Sequence, residues 1–159
     1  MEELARCAQS KGKVYFTGGA TALLLGMREQ TIDLDIKFAP EPRGVFEAIG
    51  GLKNQLDLNV ELAAPDDFIP VTDDWQEKSL FVKAVGPLEF YHFDLRAQAL
   101  SKIERGHHQD LNDAKSFLAQ GKVTKEQFWG YFLDVKPKLI RYPAIDAIAL
   151  ERKVKEFLE

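Results

Sequence analysis

The sequence contains one cysteine, Cys7, in 159 residues. A single thiol closes no internal disulfide and suits a reducing, cytoplasmic setting. Cys7 itself reads as a small packing residue on an N-terminal helix. No apolar run approaches the length of a membrane span. The opening Met-Glu-Glu-Leu-Ala-Arg lacks the basic lead and apolar stretch of an export signal. Positive charge is not in excess either. The formal net charge is −4, which argues against broad, sequence-blind binding to nucleic acid. Histidine is sparse: His107 and His108 are adjacent and diverge by about 100° on a helix, while His92 stands alone on a strand, so no zinc site is expected. Repeats and low-complexity tracts are also missing.

What is present fits one well-buried core, because 45% of the residues are hydrophobic. Residues 1–80 hold eight Lys/Arg against fourteen Asp/Glu, and residues 81–159 thirteen against eleven. The acidic half suits metal capture, and the mildly basic half suits contact with phosphates. The N-terminal half alternates between short strands and helices. A helix is expected over 2–10, then a strand, a glycine turn and an apolar helix through Val14–Leu25, then a strand at Ile32–Ile36. Val45 to Leu52 reads as a short helix ended by Gly50-Gly51. Residues 55–62 alternate strictly, with Leu56, Leu58, Val60 and Leu62 on one side and Asp57, Asn59 and Glu61 on the other. Two strands around Gly86-Pro87 read as a hairpin. From Asp94 onward the pattern is helical, with helices at 95–105, 109–119, 125–133 and 144–158. The expected plan is α/β, a mixed β-sheet flanked by helices over 1–94 and a helical region over 95–159.

The chemistry gathers in Gly18-Gly19 and, fourteen residues on, Asp33-Leu34-Asp35. Residues two apart on a strand point the same way, so Asp33 and Asp35 share a face, while Ile32, Leu34 and Ile36 point to the core. Two carboxylates that close repel unless a cation or proton lies between them. Mg²⁺, with its preference for carboxylate oxygen, is the natural occupant. Glycines before a helix permit the close backbone approach that a metal-bound triphosphate requires. These parts together point to metal-assisted transfer of a nucleotide or phosphoryl group. A second polar cluster follows: Lys102 near the buried edge of its helix, then Asp110 and Asp113, three apart on one helical face.

On these residues the chain resembles the nucleotidyltransferase superfamily, whose fold is shared with DNA polymerase β. It looks like the bacterial AbiEii-like branch and related small nucleotidyltransferases. The likeness rests on Gly18-Gly19, on Arg28-x-x-Thr31-x-Asp33-x-Asp35, and on Lys102 with Asp110 and Asp113, and spans about two thirds of the chain. It implies that Gly18 and Gly19 hold a triphosphate, that Arg28 and Thr31 lie at the nucleotide, and that Asp33 and Asp35 bind metal. Lys102 and Asp110 would position the nucleotide. The serine that often follows the first glycine in this superfamily is Gly19 here, leaving Thr17 or Thr21 as the nearby hydroxyls. Glu61 is the expected third carboxylate, with Asp57 as the alternative. The implied reaction is in-line attack on the α-phosphate of a nucleoside triphosphate, with two Mg²⁺ about 4 Å apart. The resemblance further implies a tRNA or protein acceptor, and a toxin paired with an antitoxin protein. The alternative reading is an inactive nucleotide-binding or regulatory module of the same fold.

Overall fold

A computed structural model describes all 159 residues. In chain order the elements are α1 (Glu2–Cys7), β1 (Gly12–Thr17), α2 (Gly18–Leu24), β2 (Asp33–Phe38), α3 (Val45–Leu56), β3 (Asn59–Leu62), α4 (Trp75–Lys78), β4 (Leu80–Val85), β5 (Leu88–His92), α5 (Leu95–Arg105), α6 (His108–Ala119), α7 (Lys125–Val135) and α8 (Ala147–Leu158). Short 3₁₀ segments occupy Pro65–Asp67 and Lys136–Arg141. The residues divide into two compact units, one of 1–64 with 79–93 and the other of 65–78 with 94–159. The segment 65–78, expected with the sheet, therefore counts with the helices.

The first unit is a five-stranded mixed sheet in the order β3-β2-β1-β5-β4. β1 lies at its centre, antiparallel to β2 and parallel to β5, and β3 adds to β2 in parallel. The hairpin around Gly86-Pro87 forms as expected, with Gly86 at φ +54° and β4 antiparallel to β5. One sheet face carries Val14, Phe16, Ile36, Val60, Leu88 and Phe90, which pack with Leu4 and Ala5 of α1 and Val45 and Leu52 of α3. Strand alternation sends Tyr15, Thr17, Asp33, Asp35, Asn59 and Glu61 to the opposite face.

Three local expectations change. α3 does not stop at Gly50-Gly51 but runs to Leu56 and ends at Asp57 in the left-handed conformation, φ +51°. The apolar stripe of Val45, Ala48, Ile49 and Leu52 carries the helix past both glycines, each costing about 1 kcal/mol against alanine. That run takes Gln55 and Leu56 away from the expected strand, so β3 starts only at Asn59, level with Asp33. Ile32, expected in the core, precedes β2 and is 70% exposed.

The second unit is built on helices with clear ends. Asp94 caps α5 by accepting from Arg96 N–H, and Gly106 closes it at φ +72°. Thr124 and Gln127 form a reciprocal capping box at the start of α7, and Asp146 caps α8. Leu100, Ile103, Phe117, Phe128, Phe132, Leu150 and Val154 are buried.

Candidate active site

β1 ends at Thr17, and α2 begins at once with Gly18, whose φ of +56° disfavours any side chain. A Cβ on Gly18 would lie 2.5 Å from Asp35 Oδ2. A Cβ on Gly19 would lie 2.6 Å from Thr31 Oγ1 and 3.4 Å from Arg28 Nη1. Both glycines are therefore required by close approach, each to a different residue of the same motif. The turn brings Gly18, Gly19, Arg28, Thr31 and Asp35 to one place. Thr31 Oγ1 donates to the Asp33 carbonyl at 3.0 Å, tying the segment before β2 to the start of the strand. In the β1–β2 register, Thr17 stands opposite Asp35, and its hydroxyl donates to the Ala63 carbonyl at 3.3 Å.

The acids form an array across two strands. Asp33 is paired with Asn59 in the β2–β3 register, and Asp35 with Glu61. Paired residues on neighbouring strands share a face, so the four side chains make a two-by-two polar patch. The Asn59 amide ties it together, donating to Asp33 Oδ1 at 3.1 Å and to Glu61 Oε1 at 3.0 Å. Asp57, the alternative third carboxylate, sits in the left-handed turn before β3 rather than on the strand. No group of three or more His, Cys, Asp or Glu side chains converges closely enough to cage a metal ion. The donor set still fits Mg²⁺, an all-oxygen ion commonly held by one or two carboxylates together with substrate phosphates.

Thr21 lies apart from these residues. It is fully buried, its hydroxyl donating to the Phe16 carbonyl at 3.0 Å and lying 3.1 Å from His92 Nδ1. Its position one turn into α2 directs it into the fold. Asn59 is the residue that sequence reasoning passed over. The alternation of 55–62 already put it on the face of Glu61, but its position opposite Asp33 depends on the strand register.

Lys102 and Asp110 belong to the second unit, where they meet. The helical spacing sets Lys102 near a buried edge; in the structure it is 2% exposed. Its ammonium donates to Asp113 Oδ2 at 2.7 Å and to Asp110 Oδ1 at 3.2 Å. Arg105 also donates to Asp110, at 2.9 Å, and Gln109 to Asp113, at 3.3 Å. The cluster fastens α5 to α6. A second ionic cluster joins Arg96 to Asp94 and Asp74, with the Arg96 guanidinium 4.8 Å from the centre of the Tyr131 ring. Burial pushes the Tyr131 phenol well above its ordinary range.

Residues 1–131 match a family model described as "Nucleotidyltransferase of unknown function (DUF6036)". No curated protein and no solved structure matches the chain.

Proposed function

Because the chain belongs to this nucleotidyltransferase family, we propose that its first unit carries out Mg²⁺-dependent transfer of a nucleoside monophosphate from a nucleoside triphosphate to a hydroxyl acceptor. One observation carries the reading: a glycine turn without side chains is pressed against Asp35, which shares its face with Asp33 and lies opposite Glu61. Asp33 and Asp35 would hold the metal, with Glu61 beside them. Bound there, Mg²⁺ would neutralise phosphate charge and polarise the transferring phosphoryl group. Gly18 and Gly19 would let the phosphates approach the backbone, and Arg28, near Gly19, would meet phosphate oxygens, with Thr31 joining it only by giving up its bond to the Asp33 carbonyl. Glu61, exposed at the rim of the patch, is assigned the acceptor hydroxyl's proton. Positioning and charge neutralisation carry most of such a reaction. The resemblance implies nucleotide positioning for Lys102 and Asp110; in the fold both lie in the second unit, within the α5–α6 cluster. Thr21 is left out, because its hydroxyl is spent inside the fold.

The acceptor classes follow from the likeness to AbiEii-like proteins: an RNA, tRNA among them, or a protein, in a cytoplasmic toxin paired with an antitoxin protein. The chain contains no helix long and apolar enough to cross a membrane. The test is pyrophosphate release from each nucleoside triphosphate with Mg²⁺ and total cellular RNA, followed by identification of the labelled species. Asp33→Ala is expected to abolish release while leaving the fold intact, since Asp33 is exposed. Full release by Asp33→Ala overturns the assignment of the acids. Calorimetric binding of nucleotide without any release identifies an inactive nucleotide-binding module instead.

A further inference from the structure

We propose that Asn59 is a positioning residue for the divalent cation: its amide spaces Asp33 and Glu61 before the ion arrives and sets how tightly the patch binds it. The inference rests on the metal reading above and adds a residue that reading does not use. Asn59 spends both N–H groups of one amide on carboxylates from two strands, at 3.1 Å on Asp33 and 3.0 Å on Glu61. Its own backbone N–H is already fixed, donating to the Ile32 carbonyl at 2.8 Å. The two side-chain bonds are therefore additional to the backbone pairing of the strand edge.

The choice of side chain is informative. Serine or threonine has one hydroxyl proton and ties one carboxylate only. Lysine or arginine ties both more strongly, but leaves a permanent positive charge where a metal must go. Aspartate supplies no proton and adds a fourth negative charge to the array. Asparagine alone among these ties both acids while adding no charge of its own. Asparagine is also a poor strand former, and its presence at this register position calls for a reason beyond strand propensity. Charge count and rigidity are the two quantities by which oxygen sites tune divalent affinity, and Asn59 governs both here.

The test is titration of the full chain with Mn²⁺, the free ion being followed by electron paramagnetic resonance, alongside thermal unfolding with and without the ion. Asn59→Ala loosens the acids and should weaken Mn²⁺ binding by about threefold to tenfold, by loss of rigidity. Asn59→Asp should do two opposite things. It should lower the melting temperature of the ion-free protein through repulsion, and tighten Mn²⁺ binding by about tenfold through the added carboxylate. A role limited to holding the strand edge predicts lower stability for Asn59→Ala with and without the ion, and unchanged Mn²⁺ affinity. If the unaltered chain binds Mn²⁺ and Asn59→Ala binds within twofold of it, this proposal is overturned and the metal reading stands. If the unaltered chain binds no Mn²⁺ even with a non-hydrolysable nucleoside triphosphate present, the metal reading falls and this inference with it.

Discussion

Lys102→Met should destabilise the helical unit by about 3 kcal/mol or more, because it strips a buried carboxylate of its cation. The Lys102 side chain is 3% exposed and that of Asp113 is 2% exposed, with 2.7 Å between charged atoms. Water screens such a pair poorly, so the penalty for leaving one partner behind is large. The surroundings decide how the cost divides. After loss of Lys102, Asp110 keeps Arg105 at 2.9 Å, so the burden falls on Asp113, to which Gln109 offers a neutral donor at 3.3 Å. Asp113→Asn should cost less, about 1–2 kcal/mol, because Lys102 retains Asp110 at 3.2 Å. The double variant should lose clearly less than the two singles added together, the difference being the coupling within the pair.

The assay is urea unfolding followed by tryptophan fluorescence. Trp75 and Trp129 are the chain's two tryptophans, and both lie in the unit that holds Lys102. The signal therefore reports that unit even where the sheet unfolds separately, and a shifted midpoint at constant slope reads as lost stability. A loss below about 1 kcal/mol for Lys102→Met, the range of exposed ion pairs, refutes the reasoning. The result also bears on function. Activity lost in a Lys102 variant is evidence of nucleotide positioning only after the cost to the α5–α6 fastening is known.

Three other perturbations follow from the geometry. Gly18→Ala should destabilise the sheet unit by about 2 kcal/mol, combining the left-handed backbone cost with a Cβ forced to within 2.5 Å of Asp35 Oδ2; unchanged thermal unfolding contradicts this. Gly51→Ala should stabilise by about 0.5–1 kcal/mol, since the residue lies inside α3 and nothing stands within 4 Å of an added Cβ; a loss of stability would show that α3 needs a glycine there. Burial, reinforced by Tyr91 and Glu89, pushes the Tyr15 phenol up to about 12 from its ordinary 10.0. The folded state then holds that proton more tightly than the unfolded chain. The resulting stability is complete below pH 10 and is lost as pH rises through 12. Tyr15→Phe should flatten the fall in stability over that window, and an unchanged slope would show the loss to arise elsewhere.

What was legible in the sequence was what short-range covalent geometry controls. Gly18 and Gly19 show themselves because the chain turns from β1 to α2 within one residue, and Asp33 and Asp35 because strand alternation is local. Propensity treats Gly50-Gly51 as a stop, whereas burial of Val45 and Leu52 carries α3 on to Leu56. The longer helix sets the start of β3 at Asn59, and the pairing of Asn59 with Asp33 depends on that start. In sequence, Thr21 offers a hydroxyl that could stand in for the serine that Gly19 replaces. Only the structure shows it facing the Phe16 carbonyl and His92. For Lys102 the helical face was legible but its partners were not, since Asp113 reaches it from the next helix.

The acid patch and the hydrophobic core are two faces of a single register. Ile36 and Val60 are buried on the core side of the very strands that carry Asp33, Asp35, Asn59 and Glu61 on the other. A slip of one residue between β2 and β3 would expose Val60 and turn Asn59 and Glu61 inward, which burial of the aliphatic side chains forbids. The pairing of Asn59 with Asp33 and of Glu61 with Asp35 is therefore fixed by apolar packing, with no need for attraction among the acids themselves.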